Sequence, residues 1–218
     1  MKKIFFYLMT AAVVLTTSCS KDDETDKEPK IGPNPMTMTT TLSNVSIYMT
    51  VKGTVNIDWG DKTEIESHTF QSESSLFFTH SYSISSDHNI AIAGGNITYL
   101  ACHENLLTQL DVSRNTALSA LVCFRNQLTS LDLSRNTRLG FLDCTNNKLT
   151  SLDMSRQSSL WHLECNENAL TSEALNTMLG TLHHYVLRST KEVYIGNNPG
   201  TDDCDISIAE DKGWVVIK

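Results

Sequence analysis

Between Leu100 and His162 leucine and polar positions follow a frame that returns at every twenty-first position: "LACHENLLTQLDVSRNTALSA" (100–120), "LVCFRNQLTSLDLSRNTRLGF" (121–141) and "LDCTNNKLTSLDMSRQSSLWH" (142–162). A fourth copy, "LECNENALTSEAL" (163–175), starts the same way and then departs. A shorter period is nested inside the frame. Leu128, Leu131, Leu133 and Asn136 fit L-x-x-L-x-L-x-x-N, and so do Leu139, Leu142, Cys144 and Asn147, so each turn of chain holds two similar halves of nearly equal length. L-x-L alternation sends one set of side chains inward and the other outward along a short strand. One such coil cannot bury its leucines alone. Stacking successive coils about 4.8 Å apart gives parallel ladders and a continuous core.

The frame places Cys102, Cys123, Cys144 and Cys165 at one equivalent position and Asn105, Asn126, Asn147 and Asn168 at another. Evenly spaced cysteines admit three readings: metal ligands, a disulfide ladder, or apolar spacers. Cysteines on adjacent parallel strands stand a strand spacing apart, wider than the ~3.8 Å between bridged Cβ atoms. Tetrahedral zinc needs ligands that converge on a point, and these lie along a line. The positions are ones where the frame requires an inward apolar residue, as Leu133 and Met154 show in the other half-coil. Free cysteine packs as a small hydrophobe, so the spacer reading is favoured. The recurring asparagine has a different use: a buried amide can pair with turn backbone that otherwise lacks partners.

The frame resembles the leucine-rich repeat family, in its bacterial subclass with nested half-repeats. The resemblance covers about residues 97–170; Gln157 stands where asparagine is expected, and Glu173 and Ala174 where leucine and aspartate are expected. It implies a solenoid that binds proteins or glycans through its exposed strand face, and it implies no catalysis.

An open solenoid needs caps at both ends. Downstream, about residues 171–218 form the cap that closes the repeat domain of 97–218. Ser172 reads as an N-cap, and Leu175, Met178, Leu179 and Leu182 as one apolar helical stripe. "EVYIG" (192–196) reads as a strand and "NNPG" (197–200) as a turn; Cys204 falls in this cap, and Trp214 is placed to cover the end of the core. This succession also resembles the C-terminal caps of bacterial repeat lipoproteins. Upstream, residues 36–96 are rich in Thr, Ser, Val and Ile in alternation, which predicts five to seven short strands. Trp59, Gly60, Asp61, His80 and Tyr82 resemble the turn and strand of an immunoglobulin-like PKD sandwich, with Lys62 where glycine is expected. The expected fold is mainly β with minor α: an N-terminal β-sandwich capping a short leucine-rich repeat solenoid, closed by a C-terminal helix and strand.

The N-terminal residues lie outside that fold. Lys2 and Lys3 precede an apolar run at 4–15, too short for an ordinary membrane-spanning helix, and "TTSC" leads into Cys19. Small residues before the cysteine resemble a lipobox, with Thr16 where leucine is usual, and "SKDDE" resembles an acidic surface-export signal. The reading is a signal peptide at 1–18, lipidation at Cys19, and an outer-membrane lipoprotein exposed on the cell surface; an ordinary secretory signal is the alternative. Residues 19–35 carry three of the four prolines and five acidic side chains, the composition of an unstructured tether. Without Lys2 and Lys3, 15 basic residues face 25 acidic ones, a net charge of −10 that argues against nucleic acid as a partner.

Candidate chemistry is sparse. Asp111, Asp132 and Asp153 recur outward, each three residues before Arg114, Arg135 or Arg156 and two before a serine. A solvated Asp–Arg ladder explains them; a calcium site or paired acids is the alternative. Asp58 and Asp61 read first as turn chemistry. No histidine pair has metal spacing, and no G-x-S-x-G turn or phosphate loop is present, so neither catalytic residues nor a cofactor or metal are expected. The informative surface is the outward face of the cysteine-bearing strands. Tyr99, Val122, Phe124, Phe141 and His162, with His103 and Glu164 beside them, would form an aromatic and apolar patch. Such a patch binds an outside protein or glycan, or is covered by the N-terminal module or by a second copy in a cell-envelope assembly.

Overall fold

The computed structural model describes residues 31–184 and 190–218. The signal segment, Cys19 and the tether up to residue 30 lie outside the described residues. Four strands come first: β1 (Met36–Thr40), β2 (Asn44–Asp58), β3 (Glu66–Ser81) and β4 (His88–Ala101). The repeats then supply β5 (Gln109–Asp111), β6 (Ala120–Val122), β7 (Phe141–Asp143) and β8 (His162–Glu164). The C-terminal part holds α1 (Ser172–Thr181), β9 (Lys191–Tyr194), α2 (Ser207–Glu210) and β10 (Trp214–Ile217). The described strands form one mixed sheet.

β4 joins its two parts. It pairs antiparallel with β2 on one edge. On the other it pairs with β1 over His88–Ile92 and then, in parallel, with β6 over Tyr99–Ala101. From there β6, β7, β8, β9 and β10 continue as parallel neighbours. The expected boundary at 96/97 therefore falls inside a strand, and the first coil is templated directly on the upstream sheet.

Two expectations about that upstream part change. There are four strands and not five to seven, and they hydrogen-bond into the common sheet in place of a separate two-sheet sandwich. Gly53, Gly94 and Gly95 sit at bulges with positive φ, where the β2 and β4 registers shift and the strands run on. Alternation along β2 puts Val45, Ile47, Met49, Val51, Val55 and Ile57 on one fully buried face. They share a single core with the leucines of the coils and with Trp214 at the far end.

The second half-coils also differ. Only β5 is a strand there, because β1 pairs with it antiparallel through Thr37–Thr39. In later coils Asp132 and Asp153 each accept the amide of Ser134 or Ser155, at 2.9 and 2.8 Å, and the local bond from Asn136 N–H to the Leu133 carbonyl closes a turn. The first coil has the same local bonds, from Ser113 to Asp111 and from Asn115 to Val112, so the strand at β5 is owed to β1 beside it. The inward residues are buried all the same: Leu131, Leu133, Leu152 and Met154 are at most 9% exposed.

Asparagine amides stitch the coils. Asn126 Oδ1 accepts the Asn105 and Leu107 amides at 3.1 and 2.9 Å, and its Nδ2 donates to the Cys102 and Cys123 carbonyls at 3.0 Å. In the following coils Asn147 and Asn168 donate in the same way to the cysteine carbonyls of their own and the preceding coil, and each accepts one amide, from Leu128 and Leu149. Asn105, with no coil before it, exchanges hydrogen bonds with the Ser46 backbone on β2. At the other end Asn198, in the segment read as a plain turn, takes the next rung: it accepts from Asn168 and Leu170 and donates to the Cys165 and Ile195 carbonyls. A second ladder on the opposite side uses Asn136 and Gln157. The longer glutamine side chain reaches the Leu133 carbonyl at 2.8 Å, so the departure at Gln157 keeps the function of the asparagine.

The cysteines lie where the frame placed them. Cys102, Cys123, Cys144 and Cys165 are free and completely buried. Burial pushes the Cys102 and Cys165 thiols up to about 12 and those of Cys123 and Cys144 well above their ordinary value. The Cys144 and Cys165 thiols donate to the Glu164 and Tyr194 carbonyls of the next coil, each at 3.3 Å. The cap helix is capped one residue earlier than its composition indicated, with Thr171 as N-cap accepting the Ala174 amide.

In the upstream module the turn residues form a packed set. The Tyr82 hydroxyl donates to the Trp59 carbonyl at 2.7 Å, His80 stacks on Trp59 at 4.8 Å, and the His80 ring lies 2.8 Å from Asp61. Burial raises the Asp61 pKa, but hydrogen bonds from the Thr63 hydroxyl, His80 and the Thr63 amide outweigh it and hold the carboxyl at about 2. A carboxylate depressed in the folded state contributes stability that is fully present above its ordinary value of 3.8 and is lost as pH falls toward about 2. Asp61→Asn is therefore expected to flatten the acid limb of a stability–pH curve between about pH 4 and pH 2. Acid limbs that superimpose in urea titrations of the two proteins would contradict this.

Candidate functional site

The parallel register sets the outward side chains in columns. One column runs Tyr99, Ala120, Phe141, His162, Glu192. The next runs Ala101, Val122, Asp143, Glu164, Tyr194. His103 and Phe124 begin a third, beyond the cysteines. The residue after this third column has positive φ in every coil, at Glu104, Arg125, Asn146, Glu167 and Asn197, which turns the chain sharply away from the face.

The aromatic rings meet across strands in three separate groups. Tyr48 meets Tyr99 edge-on at 5.6 Å, and His103 stacks on Phe124 at 4.4 Å. Phe141 and His162 stack nearly parallel at 4.8 Å; Trp161 lies 5.8 Å from Phe141, and Tyr194 lies 5.3 Å from His162. These offset and edge contacts between rings each contribute about 0.5–1.5 kcal/mol beyond area burial. They leave the rings partly exposed, from 13% for the His162 side chain to 40% for Trp161. Neither helix packs on β6, β7 or β8.

The structure places Tyr99, His103, Phe124, Phe141, His162 and Glu164 together on this face. Val122 is the exception among the expected residues: it points outward but is only 9% exposed, a short side chain set among longer ones. Four contributors were missed. Tyr48 and Phe77 face each other on β2 and β3 and extend the surface into the upstream module, where Phe77 is 64% exposed. Glu192 and Tyr194 extend it into the cap. A signal for the latter pair exists, because Val193, Ile195 and Asn198 fit the L-x-C-x-x-N frame once β-branched residues replace leucine and α1 lengthens the coil.

Carboxylates gather at the β7–β9 end. His162 Nε2 is 2.8 Å from Glu164, and its Nδ1 is 3.5 Å from Glu192. Burial raises the Asp143 carboxyl above its usual range; the Thr145 amide and hydroxyl pull it down and Glu164 pushes it up. At the other end Ser46, Tyr48, Phe77, Ala101 and His103 line a depression of about 260 Å³. His103 Nδ1 there is buried without a hydrogen-bond partner.

The aspartates of the second half-coils do not form the expected ladder with arginine. Among the described residues the ion pairs are His68–Glu66, His80–Asp61, Arg125–Glu104 and those of His162. Asp111, Asp132 and Asp153 instead accept the amide two residues on. A fixed neighbouring amide costs less side-chain entropy than ordering an exposed arginine. No group of three acidic, histidine or cysteine side chains among the described residues is arranged to hold a metal.

No family model matches the chain, and no curated protein does. Among solved structures it is similar to one titled "Functional domain of InlJ from Listeria monocytogenes includes a cysteine ladder". Identity is 31% over 56% of this chain, with a TM-score of 0.43. This chain spans 24% of that one's length. An overlap so partial leaves the cysteine spine here to rest on its own burial and hydrogen bonds. Among the described residues no helix is long and apolar enough to cross a membrane.

Proposed function

We propose that the chain is a non-catalytic binding module, held at the cell surface by a lipid on Cys19, that takes a protein or glycan on the outward strand face. The observation that carries this reading is the set of three aromatic clusters, Tyr48 with Tyr99, His103 with Phe124, and Phe141, Trp161 and His162 with Tyr194, on a face that neither helix covers. Aromatic side chains bring large contact area at small entropic cost, and partly exposed rings can stack on a sugar or receive an apolar side chain. Carboxylates at the β7–β9 end can accept hydroxyl or amine donors. Nothing in this arrangement sets a nucleophile beside a base, and the burial-raised thiols are not nucleophiles at neutral pH.

The purified full chain, screened against extracellular matrix proteins and polysaccharides, is expected to give a ligand. Phe141→Ser and Trp161→Ser together should weaken it by about tenfold or more, as loss of central aromatic anchors does, while the circular dichroism spectrum stays unchanged. An affinity equal to that of the unaltered chain would move the site off this face.

A further inference from the structure

None of the strand-face residues lines a second cavity, of about 430 Å³, where the first coils meet the upstream sheet. Met36, Ile92 and Ile97 form its apolar floor; Ser113, Arg114, Asn115 and Arg135 are at its polar side. Among the described residues no carboxylate lines it, although the chain has a net charge of −8. Neither arginine makes an ion pair or a side-chain hydrogen bond with a described residue. The acids three residues before them in the frame are committed elsewhere. Asp111 and Asp132 accept the Ser113 and Ser134 amides, and Arg135 contributes least among the groups that hold the Asp132 carboxyl low.

Asn115 marks the same place. It begins the second amide ladder, and one coil on Asn136 donates to the Val112 and Asn115 carbonyls at 3.0 and 2.8 Å. Asn115 has no earlier coil to donate to, and its Nδ2 is buried without an acceptor. At the equivalent end of the first ladder Asn105 finds the Ser46 backbone. A buried donor left unpaired is costly, so an acceptor supplied from outside would be bound with that gain added to two charge-assisted contacts.

We propose that this cavity is a binding site for an oxyanion, a carboxylate or sulfate, carried on a ligand of about one sugar unit in size. Arg114 and Arg135 supply the charge, and Asn115 Nδ2 and the Ser113 hydroxyl supply directed donors. The site stands apart from the strand face and does not depend on it. Titration calorimetry of the purified full chain with sodium glucuronate, and separately with sodium sulfate, at ionic strength matched with chloride, distinguishes the two oxyanion sources. At least one should bind saturably, and Arg114→Gln with Arg135→Gln should weaken it by about tenfold or more. Asn115→Ala should weaken it too, whereas Phe141→Ser with Trp161→Ser should leave it unchanged. Saturable heat is the readout because sulfate stabilises proteins without binding. No saturable binding of either anion, or equal affinity in the double arginine variant, would overturn the site.

Discussion

Asn126→Ala is expected to destabilise the fold by about 3–5 kcal/mol, a loss in the range seen when a buried hydrogen-bond network is broken. The carboxamide receives two backbone amides of the preceding turn and donates to two cysteine carbonyls on adjacent coils. The residue is 7% exposed, and alanine brings no donor or acceptor in exchange. Each backbone group left buried and unpaired costs about 1–3 kcal/mol, and partial entry of water keeps the sum below the simple total. The neighbouring Arg125–Glu104 pair is the control. Both side chains are more than half exposed, so solvent screens the pair and Arg125→Ala should leave stability almost unchanged. Urea denaturation of the two variants measures both, and a small effect at Asn126 would mean that the coils cohere by leucine packing alone.

Gly200→Ala should be comparably damaging for a steric reason. A methyl group there would lie 2.0 Å from the Ser172 nitrogen and 2.2 Å from the Thr171 carbonyl carbon, both backbone atoms at the start of α1. Nothing flexible can move aside. Either α1 shifts or the 197–200 turn lifts, and the turn carries Asn198, the last rung of the first ladder. The expected cost is about 3 kcal/mol or more, at the upper end for overpacking, with the cap loosening before the upstream sheet. Hydrogen exchange localises it: faster exchange confined to 163–218 supports this order, and uniform acceleration contradicts it. Gly180→Ala, where nothing lies within 4 Å of the added carbon, should be tolerated.

The coils were legible in the sequence because their order is local. The short repeat period fixes which side chains point inward, and burial of Leu121, Leu142 and Leu163, with the cysteines two positions on, follows from it. The long upstream strands were less legible, since glycine at a bulge and glycine at a strand end read alike. Only the pairing of β4 with both β2 and β6 shows that one strand serves both parts. The strand face was half legible. Register gave Tyr99, Phe124 and Phe141, whereas Tyr48 and Phe77 reach the face through antiparallel pairing of strands that lie well upstream of the repeats. The oxyanion cavity was not legible. Arg114, Asn115 and Arg135 look like surface turn residues in a repeat, and what distinguishes them is the missing coil before the first.

Differential alkylation reports most directly on whether the chain winds once per repeat about a spine of sulfur. The folded protein at about pH 8 is exposed to a bulky maleimide, then unfolded and labelled with a second, and each cysteine is assigned by peptide mass spectrometry. A buried, proton-holding spine leaves Cys102, Cys123, Cys144 and Cys165 to the second label alone. Rapid first-label modification of all four in the folded state would place them on a surface and dismantle the solenoid, with the strand face built on it.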